Sequence, residues 1–162
     1  MRYDVTVADV PSRRVLAKQL DVTIEGIGPA IQGAMTDVYA CVARSGAEPA
    51  GEPFVIYHER PSKEAGWRIE VCAPVSDVIP APTGYTFQEI PAGSVATTTH
   101  VGPYGEIAAA YTEIDEFIRA HGDLDSAGPP REIYLSEPDV PPRETRTRIE
   151  FPVSRVPVAI RT

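Results

Sequence analysis

Residues 85–104, YTFQEIPAGSVATTTHVGPY, contain the pattern that decides the fold. Tyr85–Ile90 and Ser94–Val101 have the composition and polar alternation of strands, and Pro91-Ala92-Gly93 between them is a turn sequence. A Gly-Pro pair follows the second strand and precedes a segment with helical spacing. This order predicts a hairpin followed by a helix.

The same order of elements occurs near the N-terminus. Tyr3–Val7 and Arg13–Leu20 flank the turn sequence Val10-Pro11-Ser12, and Pro11 lies 80 positions before Pro91. Turn chemistry and strand pattern therefore recur together, which indicates that one module occurs twice in the chain.

Each predicted hairpin leads into a helix that opens at a Gly-Pro pair, Gly28-Pro29 or Gly102-Pro103. Apolar residues then follow the helical period: Ile31, Met35, Val38, Tyr39 and Val42 in the first helix, and Ile107, Ala110, Tyr111, Ile114, Phe117 and Ile118 in the second. Ser45-Gly46 and His121-Gly122 predict the two ends, with each glycine in the left-handed conformation.

Two more strands complete each module. The third strands, Phe54–His58 and Arg131–Leu135, share an Ile-Tyr pair 77 positions apart, and the fourth, Trp67–Val71 and Thr147–Phe151, lie 80 apart. We predict one α+β domain, with module one at residues 1–80, module two at 81–155 and a C-terminal tail at 156–162. The expected sheet is antiparallel with about eight strands, both helices on one face, and a ligand cleft at a pseudo-twofold axis.

The composition narrows the class of protein. A formal net charge of −8 and scattered basic residues argue against direct DNA binding, and no apolar stretch is long enough to predict a membrane span. The N-terminus has no secretory signal pattern, and Cys41 and Cys72 have no metal or redox spacing, which favours a cytoplasmic protein with two buried thiols. The tail alternates but contains proline, so a loose tail, an edge strand and a homodimer contact are all possible, and a loosely held tail is the preferred prediction.

A ligand site is predicted on the third strands. Alternation can place Ile133 and Leu135 towards the helices, with Glu132 and Tyr134 on the opposite face. The matching first-module residues are Val55 and Tyr57. One carboxylate among aromatic rings favours an apolar, cationic small molecule.

Several of these residues also have ordinary structural explanations. Glu132 can form an ion pair with Arg131, Arg146 or Arg148, Trp67 can be core rather than pocket lining, and Tyr104 can pack on the helix N-terminus rather than close the pocket edge. Glu70 and Glu150 are expected to pair with Arg68 and Arg148 on a solvated surface. No metal-ligand spacing, phosphate-binding loop or catalytic triad pattern occurs in the sequence, and no cofactor is expected.

Three segments resemble the GyrI-like small-molecule-binding family, which includes the effector-binding domains of BmrR-type and Rob-type regulators. They are Ile90-Pro91-Ala92-Gly93, His100-Val101-Gly102-Pro103-Tyr104 and Gly128-Pro129-Pro130-Arg131-Glu132-Ile133-Tyr134. The resemblance implies that Glu132 contacts cationic, lipophilic ligands, and that Tyr57, Tyr134, Tyr104 and Trp67 supply aromatic lining. No helix-turn-helix pattern precedes Tyr3, so a stand-alone drug- or toxin-binding member is expected.

Two other functions stay open. Some members of this family resemble hydrolases that open strained cyclopropane rings of genotoxic compounds; Glu132 would then be the general base and Tyr134 would orient the substrate or stabilise an oxyanion. The third hypothesis is a protein-interaction or gyrase-inhibitor domain. Binding without catalysis is the preferred hypothesis.

Overall fold

The computed structural model describes residues 3–59, 66–137 and 139–156, and it confirms the α+β class with antiparallel strands. All eight predicted strands and both helices are present, together with one short extra strand, β7. The elements are β1 (Thr6–Val10), β2 (Arg13–Val22), α1 (Ile27–Ser45), β3 (Phe54–Tyr57), β4 (Trp67–Pro74), β5 (Thr86–Ile90), β6 (Gly93–Val101), α2 (Ala108–Ala120), β7 (Leu124–Ser126), β8 (Arg131–Tyr134) and β9 (Arg146–Arg155).

The strand pairing differs from the predicted hairpins. β1 pairs with β6, and β2 pairs with β5 on one edge and β4 on the other. Since both edges of β2 are occupied, β1 cannot pair with it, although only a short turn separates the two strands in sequence. The hairpin prediction is therefore wrong for both halves.

The chain consequently divides into two compact units, which we call the A unit and the B unit. The A unit contains Ser12–Pro91, and the B unit contains the segments up to Pro11 and from Ala92 onward. Each unit holds a helix and an antiparallel sheet, with its first strand supplied by the other half of the sequence. Descent from a duplicated module of residues 1–80 and 81–155 stays a prediction.

In the A unit the strand order is β5–β2–β4–β3, and α1 packs on one face of this sheet. Val38, Cys41 and Val42 of the helix meet Leu16 and Ala73 in the buried cluster. Of the predicted apolar stripe, Val38 and Val42 are buried and the other three residues are half-buried, whereas Ala34 and Cys41 are buried without having been predicted.

In the B unit the order is β1–β6–β9–β8, and β7 also pairs with β9. Ala110 and Ile114 of α2 pack on Ala96, Ile149 and Val153 of the sheet. Each helix therefore covers one face of its own sheet and does not cover the opposite face.

The two helices end differently. Gly46 follows α1 in the left-handed conformation, with φ of 76°, as predicted. The prediction for Gly122 is wrong, since its φ is not positive. After α2 the backbone of His121 is already extended and its N–H bonds to the Phe117 and Ile118 carbonyls, so the chain leaves the helix without a left-handed residue.

The strand registers show which residues of the two units correspond. Phe87 lies opposite Leu16, and Val7 lies opposite Ala96, so β2 and β6 correspond at a separation of 80. Leu16 is also opposite Ala73, and Ala96 is opposite Phe151, which sets the separation of β4 and β9 at 78 rather than 80.

This register makes Cys72 the equivalent of Glu150, so the predicted equivalence of Glu70 and Glu150 is wrong. The predicted solvated surface is also wrong, because both carboxylates are buried. Glu150 pairs with Arg148 and Arg131, whereas Glu70 accepts a hydrogen bond from Gln88 and contacts the His58 ring. Burial of these acids is tolerated because each has charged or polar partners.

Other predictions concern the cysteines, the membrane and the tail. Cys41 and Cys72 are buried and not disulfide-bonded. Among the described residues, no helix is long and apolar enough to cross a membrane. The predicted tail lies outside the described residues except for Val156, whose N–H bonds to the Asp123 carbonyl.

Candidate functional site

Glu132 and Tyr134 lie on the helix side of the B unit sheet, which corrects the predicted orientation. Glu132 is directly opposite Ile149 across the β8–β9 ladder. Directly opposite residues point to the same face of a sheet, and Ile149 packs against α2. The neighbouring Ile133, predicted to face the helix, therefore points away from it.

The same correction applies to Val55 and Tyr57 in the A unit. These residues lie opposite Val71 and Ile69, which share a face with Ala73 under α1. Trp67 belongs to that face as well and is only 2% exposed. Alternation correctly grouped these side chains but could not say which group faced the helix, because both faces of these strands are largely buried.

The Glu132 carboxylate is buried and accepts two hydrogen bonds from tyrosines. Tyr111 of α2 donates to Oε2 at 2.5 Å, and Tyr134 donates to Oε1 at 3.3 Å. The glutamate itself is 7% exposed. Hydroxyl donors of this kind favour the ionised form of a buried carboxyl group, so the site can hold a negative charge away from bulk water.

Tyr104 lies over the outer part of this cluster. Its ring meets the Tyr134 ring edge-on, with 5.8 Å between centroids, while 52% of the residue stays exposed. Partial burial raises the pKa of Tyr104; the nearby Thr147 hydroxyl opposes this effect, and the charge of Glu132 adds to it. The Tyr104 hydroxyl is therefore close enough to respond to the carboxylate.

Thr147 is a further polar group of the site, and it was not predicted from the sequence. It lies opposite Tyr134 in the β8–β9 ladder and is fully buried. Its hydroxyl approaches that of Tyr104 without the geometry of a regular hydrogen bond, and it has no other partner among the described residues. A buried hydroxyl in this state can still donate to a ligand or a water.

Two of the three arginines predicted as possible ion-pair partners of Glu132 lie on the other face of the sheet. Arg131 and Arg148 point to the face away from α2 and form ion pairs with Glu150, at 3.5 and 3.0 Å. Arg146 is exposed at the start of β9. The partners that the structure does show for Glu132 on the helix side are the two tyrosines.

Tyr111 was predicted only as part of the apolar stripe of the second helix. Aligning the two helices on the buried pairs Ala34/Val38 and Ala110/Ile114 places Tyr111 at the position of Met35, one residue after each alanine. A hydroxyl at the position where the first helix has a thioether was the signal that could have identified it.

The polar character of the site belongs to the B unit alone. Its residues Glu132, Thr147 and His100 correspond by register to three apolar residues of the A unit, Val55, Ile69 and Leu20. The structure brings Glu132, Tyr134 and Tyr104 together in the B unit. Val55, Tyr57 and Trp67 lie in the A unit, and their role in ligand binding stays a prediction.

The comparisons with solved structures agree with this fold. The chain is similar to the EcmrR C-terminal domain, with 25% identity, a TM-score of 0.80, and coverage of 96% of this chain and 100% of that one. It also resembles EcmrR in a DNA complex, with 28% identity and a TM-score of 0.79; the match covers 95% of this chain and 58% of EcmrR. The chain thus spans little more than half the length of that regulator.

Two more distant structures share the fold. A hydrolase from Listeria innocua is 18% identical, with a TM-score of 0.70 and coverage of 93% of this chain and 91% of that one. SAV2435 bound to tetraphenylphosphonium is 14% identical, with a TM-score of 0.59 and coverage of 95% and 94%. No match was found among curated proteins.

The family comparison covers nearly the whole chain. The model of the GyrI-like small molecule binding domain matches residues 3–154, which include every residue of the cluster around Glu132. The chain therefore belongs to the GyrI-like family of small-molecule-binding domains.

Proposed function

We propose that this protein binds an apolar cation at Glu132, next to the rings of Tyr111, Tyr134 and Tyr104. The observation that carries the proposal is the buried carboxylate whose two oxygens each accept a tyrosine hydroxyl. The hydroxyls fix the position of the charge, and the rings beside them offer surface on which an apolar ligand can lose its water.

A cation gains from this arrangement in two ways. Attraction to a carboxylate is stronger in a site with little water than at an exposed surface. Aromatic faces add about 0.5–2 kcal/mol for a cation placed over them. A neutral ligand of the same shape receives only the apolar part, so charge should decide the affinity.

The relatives support the cationic class. The domain family binds small molecules, and the SAV2435 structure contains tetraphenylphosphonium, a lipophilic cation. The charge of the whole chain, formally −8, favours the approach of a cation as well. We therefore expect drug- or toxin-like cations to be bound or sequestered.

The test compares a cation with a neutral molecule of similar shape. Tetraphenylphosphonium and triphenylphosphine oxide would be titrated into the wild-type protein and Glu132→Gln by calorimetry. Glutamine keeps the size and one acceptor oxygen but removes the charge. We expect Glu132→Gln to weaken binding of the cation about 10- to 100-fold and to leave binding of the neutral ligand nearly unchanged.

Glu116→Gln is the matched control, because it removes the same charge from an exposed position of α2. Its affinity for the cation should differ from the wild-type value by less than about twofold, since exposed charges are screened. Equal binding of tetraphenylphosphonium by the wild-type protein and Glu132→Gln would contradict the proposal.

Hydrolysis is the second candidate, because the structure brings Glu132 and Tyr134 within hydrogen-bond reach, at 3.3 Å. A general base must take a proton from water, and the two tyrosine hydroxyls that stabilise the Glu132 carboxylate oppose that step. Binding is therefore the better-supported function. Turnover of a cyclopropane-bearing electrophile by the wild-type protein, lost in Glu132→Gln while the compound still binds, would reverse this order.

A further inference from the structure

A chain of two hydrogen bonds holds the backbone that leads into Tyr104. His100, near the end of β6, is 2% exposed, and its Nε2 lies 3.0 Å from the Pro103 carbonyl oxygen. Its Nδ1 lies 2.8 Å from the Tyr3 hydroxyl. A carbonyl only accepts, so Nε2 carries a proton and donates, and on a neutral ring Nδ1 accepts from Tyr3.

The Pro103 carbonyl is the last backbone acceptor before Tyr104. It also accepts the N–H of Glu106, in the single helical turn Tyr104–Glu106 that precedes α2. The position of this peptide therefore sets where the Tyr104 ring lies. Since Tyr104 is half exposed and outside the buried cluster of α2, little packing would restore the ring if the turn shifted.

Gly102 bends the backbone between His100 and Tyr104. Its φ of +130° is a conformation that favours glycine, and its N–H donates to the Thr145 carbonyl at 2.8 Å. A Cβ at this position would lie 3.8 Å from His100 Nε2 and 3.6 Å from Glu106 Oε2, which are ordinary contact distances, so the backbone conformation rather than a lack of space favours glycine. The run from His100 to Tyr104 is thus a bent segment whose first residue reaches over to fix its last peptide.

We propose that Tyr3 and His100 are positioning residues of the ligand site: they set the place of Tyr104 beside Tyr134 and so control ligand affinity without touching the ligand. This inference rests on the proposed function. Tyr3 precedes β1, whose pairing with β6 begins at Thr6, so loss of the Tyr3 hydroxyl leaves that ladder intact.

The main variant is Tyr3→Phe, which removes one hydroxyl and keeps the ring. Weakening of a single hydrogen-bonded link should raise the Kd for tetraphenylphosphonium about three- to tenfold. His100→Phe should have at least the same effect, and His100→Gln, which retains an N–H donor for the Pro103 carbonyl, should recover part of it. If His100 had a merely structural role, the affinity of His100→Gln would recover only as far as its stability does.

Thr98→Val is the matched control. The Thr98 hydroxyl donates to the Asp4 carbonyl at 2.8 Å, so it also ties the N-terminal segment to β6, at a place other than the Pro103 turn. This variant should lower the unfolding midpoint in urea as much as Tyr3→Phe does and leave the Kd unchanged. If Thr98→Val weakens binding equally, the effect is one of general stability and the proposal fails.

The deciding measurement is a double-mutant cycle with Tyr104→Ala. If Tyr3 acts through Tyr104, Tyr3→Phe should change the Kd by less than about twofold once Tyr104 is absent. An unchanged three- to tenfold effect in the Tyr104→Ala background would overturn the proposal.

A readout without ligand separates this proposal from the proposed function. Burial raises the pKa of Tyr104, so release of the ring in Tyr3→Phe should bring that pKa back towards its ordinary value. NMR titration of the labelled Tyr104 ring measures this change. If the wild-type protein binds no tetraphenylphosphonium but the pKa falls, the cationic function fails and the positioning role stands; an unchanged pKa refutes the positioning role.

Discussion

Replacing Glu150 with alanine should destabilise the protein by about 3–5 kcal/mol, the usual cost of stranding one member of a buried ion pair. Glu150 is fully buried and lies 3.5 Å from Arg131 and 3.0 Å from Arg148. The Arg131 side chain is 7% exposed, whereas that of Arg148 is 34% exposed. Arg148 can turn to water in the variant, so most of the cost should come from Arg131.

The A unit supplies the compensating change. At the equivalent positions it has Phe54 opposite Cys72, an apolar pair with no exposed surface. Combining Arg131→Phe with Glu150→Cys copies that pair into the B unit and removes both buried charges together. Because an apolar pair of similar volume often equals a buried ion pair in stability, the double variant should recover at least half of the loss.

Urea unfolding followed by circular dichroism gives the free energies, with the slope against urea as a check that the transition has not changed. Domains of this kind have about 5–15 kcal/mol in total, so a loss of this size is easily measured. A Glu150→Ala variant within about 1 kcal/mol of the wild-type protein, or a double variant less stable than Glu150→Ala, would refute the reasoning.

Two further predictions concern the core and the site. Ile114→Ala should cost about 2–5 kcal/mol, because this fully buried side chain joins α2 to its sheet, and a cost below about 1 kcal/mol in the same urea assay would show that the helix is not held there. In Glu132→Gln the pKa of Tyr104 should fall, because one of the causes that raise it has gone, although burial still acts. Because the pKa of Tyr104 is raised in the folded protein, the unfolded chain loses the phenol proton at a lower pH than the folded protein does. The free energy of unfolding therefore decreases as the pH rises above 10.0, the ordinary pKa of tyrosine. This loss of stability at high pH should be smaller in Glu132→Gln. Tyrosinate absorbance against pH measures the pKa of Tyr104, with Tyr104→Phe as the reference. An unchanged pKa in Glu132→Gln would contradict the assigned effect of Glu132.

The elements of the fold were predictable because each has a local cause. Gly28-Pro29 lies in the first turn of α1, Gly102-Pro103 leads through the turn Tyr104–Glu106 into α2, and a glycine with positive φ ends the first helix. Strand pairing was not predictable in the same way. The turn between β1 and β2 is short enough for a hairpin, and only the occupation of both β2 edges by β4 and β5 excludes it.

The grouping of Glu132 with Tyr134 was predictable from the sequence, but the face of the sheet on which they lie was not. Alternation groups Glu132 with Tyr134, yet Ile133 between them is buried as well, so hydrophobicity could not show which face meets the helix. Tyr111 lies on α2, 21 positions before Glu132, so alternation along a strand could not predict their contact. The place of Tyr111 in the apolar stripe of the second helix predicted only that it would be partly buried.

The exchange of first strands has a consequence for the order in which the protein can fold during synthesis. Ser12–Pro91 is one uninterrupted piece of chain, so its four strands and helix can assemble as soon as β5 has left the ribosome. β1 is made first of all the strands, but its partner β6 is not complete until Val101. The earliest strand therefore has to wait, and the half of the molecule that holds Glu132 is the last to form.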